Sequence, residues 1–101
     1  MASFGDLELK VLRWAEARKI LQNGNVNTQM LKGMSEFGEL ADAIIKRDRE
    51  GIVDGIGDVL VVLLIVADME GLDLVSCLES AYSEIKDRKG YLNSDGVFVK
   101  Q

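Results

Sequence analysis

The sequence predicts an all-α protein from its composition, its helical periodicity and its glycine punctuation. Charged residues make up 29% of the chain and aromatic residues only 6%, a balance more typical of helices than of β-sandwiches. Proline, the residue most damaging to helix interiors, is absent from all 101 positions. Apolar residues recur at helical spacing between glycines, which mark the ends of elements. We expect a single domain over residues 1–101, with four helices over about residues 6–89 and a turn and extended tail over 90–101.

The first predicted helix runs from roughly Asp6 to Gln22 and ends before Gly24, which stands where a C-terminal cap belongs. One stripe of this helix carries Leu7, Val11, Trp14, Arg18 and Leu21.

The second predicted helix begins near Thr28, a plausible N-cap. At about 100° per residue, Glu36 and Glu39 fall on nearly the opposite side from its apolar face, and Lys32 shares their side. The apolar face carries Met30, Met34, Phe37, Ala41, Ile44 and Ile45.

The third predicted helix, about Ile52 to Met69, is apolar almost all round beyond Asp58, which indicates the most buried element of the domain. Three other helices are few to cover it on every side. We therefore expect a homodimer or homotetramer to complete the bundle.

The fourth predicted helix follows a stop at Gly71 and begins at Asp73 as N-cap. It is expected to end around Lys89, with Gly90 as its cap. The segment Asn93-Ser94-Asp95-Gly96 then predicts a turn, and Val97-Phe98-Val99 a short extended tail.

Composition excludes several functional classes. The net charge of −5 and the lack of a basic stripe argue against DNA or RNA binding. Histidine is absent, and the single Cys77 lies in an apolar stretch, so we interpret it as a core residue of a reduced cytosolic protein. The longest apolar run, Val59 to Ala67, is well short of the ~20 residues that span a bilayer, and no signal peptide is expected.

Two acidic pairs indicate a metal site. Glu36 and Glu39 are three residues apart on one helix, and Asp54 and Asp58 are one turn apart on the next. Mg²⁺ prefers a few convergent carboxylates and keeps several waters, so these four residues are the candidate ligands. The alternative is that the glutamates form a solvated face and the aspartates complement a helix dipole.

The same residues resemble the MazG-like all-α nucleoside triphosphate pyrophosphohydrolases, particularly their short, often phage-encoded members. The resemblance covers nearly the whole chain. It rests on Trp14-x-x-x-Arg18-x-Ile20, Gln29-x-x-Lys32, Glu36-x-Gly38-Glu39-Leu40, Asp54-x-Ile56-Gly57-Asp58-Val59-Leu60, Glu84-Ile85-Lys86-Asp87-Arg88-Lys89-Gly90 and Asp95-Gly96-Val97-Phe98-Val99-Lys100.

The resemblance implies a four-helix bundle completed by oligomerisation, and Mg²⁺-dependent hydrolysis of a nucleoside triphosphate to a monophosphate and pyrophosphate, with Mn²⁺ as a substitute metal. Glu36 and Glu39 would then act as catalytic residues as well as ligands. Metal ions would neutralise phosphate charge and lower the pKa of a bound water. The candidate substrate contacts are Lys32, Lys86, Arg88 and Lys89 for phosphates and Trp14 for a base, although each of these cations could equally be a solvated charge and Trp14 a core residue.

The chain departs from the family motif at two positions. The family has adjacent glutamates where this chain has Ser35-Glu36, and Glu-x-x-Asp where it has Gly55-x-x-Asp58. The ligands implied by the resemblance correspond to Glu36, Glu39, Gly55 and Asp58, so one of them has no side chain, and Asp54 is the candidate replacement. Two other interpretations stay open: a catalytically inactive nucleotide-binding or regulatory homologue, and a plain helical interaction module.

Overall fold

The computed structural model describes residues 2–101 and has an all-α core, which confirms the predicted fold class. The strands pair antiparallel as a small hairpin, with Tyr91 opposite Val99. The elements are α1 (Phe4–Ala17), α2 (Ile20–Asn23), α3 (Val26–Ile45), α4 (Arg49–Met69), α5 (Leu74–Ile85), β1 (Gly90–Leu92) and β2 (Phe98–Lys100).

The first predicted helix is interrupted, so the prediction of one continuous element was wrong. Arg18 closes α1 by donating its backbone N–H to the carbonyls of Trp14 and Glu16. Lys19 then adopts a left-handed φ of 65°, which a continuing α-helix does not allow. Only the short α2 follows, and Gly24 caps it as expected.

The start of α3 also differs from the prediction, because Asn25 and not Thr28 is the N-cap. The Asn25 side-chain oxygen accepts the Thr28 backbone N–H at 2.8 Å, so Thr28 already lies in the first helical turn. The start of α4 lies earlier than predicted for a similar reason. There the Asp48 carboxylate accepts the Gly51 N–H at 3.1 Å.

The start of α5 agrees with the prediction from the sequence, but its end does not. Gly71 has a φ of 71°, and Asp73 caps the helix by accepting the Ser76 N–H at 2.9 Å. The helix stops at Ile85, and Gly90 opens β1 instead of capping a helix. A side chain at Gly90 would collide with the Val99 carbonyl and the Phe98 ring, so glycine is needed for the hairpin to close.

The core is small and centred on α4, as predicted for the most apolar helix. Helices α1 and α3 pack against α4, whereas α5 makes little contact with it. Cys77 is exposed, so its assignment to the core was wrong: α5 has no buried residue. The buried apolar side chains are Ala15, Ala43, Val62, Leu64, Ile65 and Ala67.

The described chain exposes more surface than a compact monomer of its mass. Its accessible surface is 7910 Å², whereas a folded 11.1 kDa monomer exposes about 5,700 Å². Its radius of gyration is 16.1 Å, against about 13 Å for a compact domain of this length. Neither strand of the hairpin approaches a helix within residues 2–101. No helix in that range combines the length and the apolar character that a membrane span requires.

Candidate metal and nucleotide site

Helices α3 and α4 form an antiparallel pair whose closest approaches are marked by glycines. A Cβ at Gly33 would lie 3.0 Å from Val62 Cγ1, and a Cβ at Gly55 would lie 3.0 Å from Leu40 Cβ. Glu36 lies between the two contact points on α3. Asp58 lies between them on α4. The helix pairing therefore brings the two predicted ligand pairs to one side of the α3–α4 interface.

Glu36 is largely enclosed by its surroundings. Its side chain is 13% exposed, and its Oε1 atom accepts a hydrogen bond from Lys32 Nζ at 3.2 Å. Its Oε2 atom is buried and has no hydrogen-bond partner among the described residues. A buried carboxylate oxygen without a partner carries the full cost of its desolvation, which a cation would offset.

Asp58 lies beside Glu36, and the two carboxylates oppose each other electrostatically. Burial raises the pKa of Asp58, and the negative charges of Asp54 and Glu36 raise that pKa further. The protonated form of Asp58 can donate its single O–H to either the Glu36 or the Asp54 carboxylate, which also raises the pKa of Asp58. Repulsion between neighbouring carboxylates is relieved when a cation binds beside them, because its charge reverses the local field.

An acidic cleft of about 180 Å³ continues from this cluster between α3 and α4. Glu39 is exposed on its wall, as is Asp54, so the structure brings all four predicted ligands to this region. Within residues 2–101, no three Asp, Glu or Cys side chains lie close enough together to hold a metal ion as they stand. The lining residues are Glu39, Asp42, Ala43, Lys46, Asp48, Gly51, Asp54, Gly55 and Asp58.

Two acidic residues of this cleft were missed by sequence reasoning. Asp42 continues the three-residue spacing of Glu36 and Glu39 on the same helix, so its position could have been inferred. Asp48 could not, because its carboxylate serves as the N-cap of α4 and reaches the cleft only through the turn between the helices.

Trp14 lies in a groove that also contains Asp58. The groove has a volume of about 350 Å³ and runs between α1 and α4. The Trp14 side chain is 43% exposed and is therefore not a core residue, and the Arg18 guanidinium lies 4.7 Å from its ring centroid. Lys10, which sequence reasoning did not single out, lines the same groove.

Of the four predicted phosphate contacts, one lies beside the acidic site and three lie away from it. Lys32 is held beside the site by its ion pair with Glu36. Lys86, Arg88 and Lys89 lie exposed in the connection from α5 to β1, and they line neither the acidic cleft nor the Trp14 groove. Within residues 2–101 these three cations form no ion pair.

Comparison with known proteins identifies the family. The MazG nucleotide pyrophosphohydrolase domain matches residues 25–92, from the N-cap of α3 to the end of β1. The chain belongs to the MazG family. This agrees with the resemblance carried by the acidic motifs, and the matched region contains all four predicted ligands.

Two proteins from phages are similar to this chain. An uncharacterized 18.2 kDa protein of Haemophilus phage HP1 (strain HP1c1), from the rep-hol intergenic region, is 36% identical over 75 residues, which are 74% of this chain. The matched residues are only 46% of that relative, so this chain spans less than half its length. The solved structure of cyanophage S-2L MazG-like pyrophosphohydrolase, bound to dGDP and three catalytic Mn²⁺ ions per active site, has a TM-score of 0.72. The alignment covers 100% of this chain and 99% of that one at 20% identity, which shows a shared fold.

Proposed function

We propose that this chain is a divalent-metal-dependent nucleotide pyrophosphohydrolase that converts a (d)NTP to a (d)NMP and pyrophosphate. The observation that carries the proposal is Glu36, whose buried Oε2 atom lacks a partner and whose carboxylate lies next to Asp58 on the MazG helix pair. We propose Mg²⁺ as the natural metal and Mn²⁺ as a substitute, because the donors are all hard carboxylate oxygens.

Each acidic residue has a distinct role in this proposal. Glu36, Asp58 and Asp54 hold the metal, with Glu39 completing the set from the exposed wall of the cleft. A divalent cation bound there neutralises phosphate charge and makes a bound water more acidic. Glu36 and Glu39 are the catalytic residues: Glu39 faces the open cleft and can accept the proton of the water that attacks the α-phosphorus. The bond to the bridging oxygen breaks, and pyrophosphate leaves.

The nucleoside of the substrate is proposed to occupy the groove between α1 and α4. That groove shares Asp58 with the acidic site, and its volume of about 350 Å³ is in the range of small-ligand sites. One face of the Trp14 ring can stack on the base of the nucleotide. The guanidinium of Arg18, at the end of α1, lies over the ring. Lys32, which is held beside the site by Glu36, is a cation available to a phosphate. Lys86, Arg88 and Lys89 would contribute only after a rearrangement or from a second subunit.

A homodimer or homotetramer is part of the proposal. The surface in excess of a compact monomer is about 2,200 Å² per chain, which is comparable with what an obligate homo-oligomer buries. The apolar face of α3 is part of this exposed surface, since Met34 is 68% exposed and Phe37 63% exposed. We further propose that the domain works in the cytoplasm, without nucleic acid or membrane as partner.

The test is pyrophosphate release from a panel of (d)NTPs with Mg²⁺ or Mn²⁺ and with EDTA as the control. We expect release with either metal and none with EDTA. Gly55, which stands where the family motif has a glutamate, favours one rival: an inactive homologue that binds nucleotide without hydrolysing it. Calorimetric binding of a nucleotide together with no pyrophosphate from any member of the panel would establish that rival.

A further inference from the structure

Gly55 is buried at the point where α4 approaches α3. A Cβ built on it would lie 3.0 Å from Leu40 Cβ, 3.1 Å from Leu40 Cα and 3.1 Å from Leu40 Cδ1. Two of these atoms belong to the rigid base of the leucine, so rotation of a flexible side chain cannot relieve the contact. Any residue other than glycine at position 55 therefore requires the two helices to move apart by a few tenths of an ångström.

The helices at this contact carry the proposed ligands. Leu40 directly follows Glu39, and Gly55 directly follows Asp54. The distance between these backbones therefore controls the distance between carboxylates that belong to different helices. Metal coordination is sensitive on this scale, since Mg²⁺ requires oxygen ligands at about 2.0–2.1 Å in near-ideal geometry.

We infer that Gly55 is a positioning residue of this chain: its missing side chain sets the α3–α4 separation at Leu40, and with it the spacing of Glu36 and Glu39 from Asp54 and Asp58. The inference rests on the proposed metal site. It treats position 55 as a helix contact that brings Asp54 into reach, where the family motif alone would describe a lost ligand. In this chain the close approach of α3 and α4 would bring the short Asp54 side chain to the metal, whereas the family motif uses the longer side chain of a glutamate.

The chain contains a matched control. Gly57 lies two residues further along α4, and a Cβ there would meet nothing within 4 Å. Gly57→Ala therefore adds the same methyl group to the same helix without touching α3. In Leu40→Gly/Gly55→Ala the glycine is moved across the interface, which removes two of the three Leu40 atoms that the added methyl would meet and leaves only Cα, at 3.1 Å, so we expect a partial recovery.

The experiment measures Mn²⁺ affinity in the full chain without nucleotide, by following free Mn²⁺ with electron paramagnetic resonance, after circular dichroism has established the folded state. We expect Gly55→Ala to weaken Mn²⁺ binding about tenfold, as changes behind metal ligands commonly do. Gly57→Ala should bind like the wild type. The double variant should regain affinity over Gly55→Ala even if it is less stable, which a general loss of stability would not produce.

Equal Mn²⁺ affinity in Gly55→Ala and Gly57→Ala overturns the inference, as does a folded double variant with no recovery. If Gly55→Ala fails to fold, a double variant that folds and binds Mn²⁺ supports the inference, and one that also fails to fold overturns it. A wild-type chain that binds no Mn²⁺ contradicts the proposed function itself. The two failures are therefore distinguishable.

Discussion

Glu36 combines two properties that are rarely found together on a solvated helix face. One carboxylate oxygen has a lysine partner, and the other is buried with none. The spacing of Glu36 and Glu39 alone was compatible with a charged, solvated surface. Burial of the Glu36 Oε2 atom is what favours a ligand over a surface charge.

Glu36→Gln should abolish metal binding and also raise the thermal stability of the metal-free protein. The amide keeps the shape of the side chain and removes a negative charge that opposes Asp58. Substitution of residues that only hydrogen-bond to metal ligands commonly lowers metal affinity about 10–100-fold. Loss of a ligand itself should therefore weaken Mn²⁺ binding at least about 100-fold. Calorimetric titration and thermal unfolding in EDTA measure both effects. The control is Glu79→Gln, which removes an exposed carboxylate from α5. Unchanged Mn²⁺ affinity in Glu36→Gln would exclude Glu36 as a ligand.

Trp14→Ala should raise KM for the preferred nucleotide with little change in kcat. Stacking of a base on an aromatic side chain contributes about 1–3 kcal/mol, so we expect KM to rise about tenfold. Trp14→Phe keeps a ring and should retain most of the affinity. Steady-state kinetics of pyrophosphate release provide the measurement. A KM that stays unchanged in Trp14→Ala would place the base elsewhere.

At the scale of elements, the ends of helices are determined by single side chains that compete for backbone N–H groups. Asn25, Asp48 and Asp73 each accept such a group in the first turn of a helix. The sequence identified Asp73 correctly because Gly71 stands just before it. It suggested Thr28 in place of Asn25, since both residue types are good caps and only the path of the backbone selects one.

The Asp73 cap predicts a pH dependence of stability. Hydrogen bonds from the backbone N–H and the hydroxyl of Ser76 lower the pKa of Asp73 from its ordinary 3.8. A carboxyl whose pKa is lower in the folded state stabilises the protein above pH 3.8, and this contribution is lost as the pH falls through the folded value. Asp73→Ala should therefore lower the free energy of unfolding more at pH 6 than near pH 2.

Urea unfolding of wild type and Asp73→Ala across this pH range measures the difference, with EDTA present so that metal binding does not contribute. Asp95→Ala, in the exposed hairpin turn, is the control. If Asp73→Ala lowers the free energy of unfolding equally at both pH values, the hydrogen bonds from Ser76 do not favour the ionised form of Asp73.

At the scale of the whole molecule, α3 leaves part of its apolar face uncovered. Its carboxylate Glu36 faces α4 and is nearly buried, whereas Met34 and Phe37 are mostly exposed. These apolar residues line an open groove of about 370 Å³ between α3 and α4. An apolar surface of this kind is typical of an interface between subunits.

Phe37→Asp should convert the proposed homo-oligomer into monomers. In an isolated chain the substitution would cost little, because the phenylalanine is already 63% exposed. In an interface it would bury an unpaired charge, which is strongly unfavourable. Sedimentation velocity at micromolar concentration compares Phe37→Asp with Asn27→Asp, which places the same charge at an exposed polar position of the same helix. A wild-type chain that sediments as a monomer contradicts this prediction.

The sequence by itself determined the all-α class, the dominance of α4 in the core and membership of the MazG family. These follow from periodicity, from apolar content and from the order of short acidic motifs, all of which are properties of local residues. Only the tertiary structure decided what Gly55 packs against and which oxygen of Glu36 lacks a partner. The reason is that the contact of Gly55 with Leu40 and the proximity of Glu36 to Asp58 join residues far apart in the chain. Such contacts depend on how two helices pack, which periodicity within one helix does not specify.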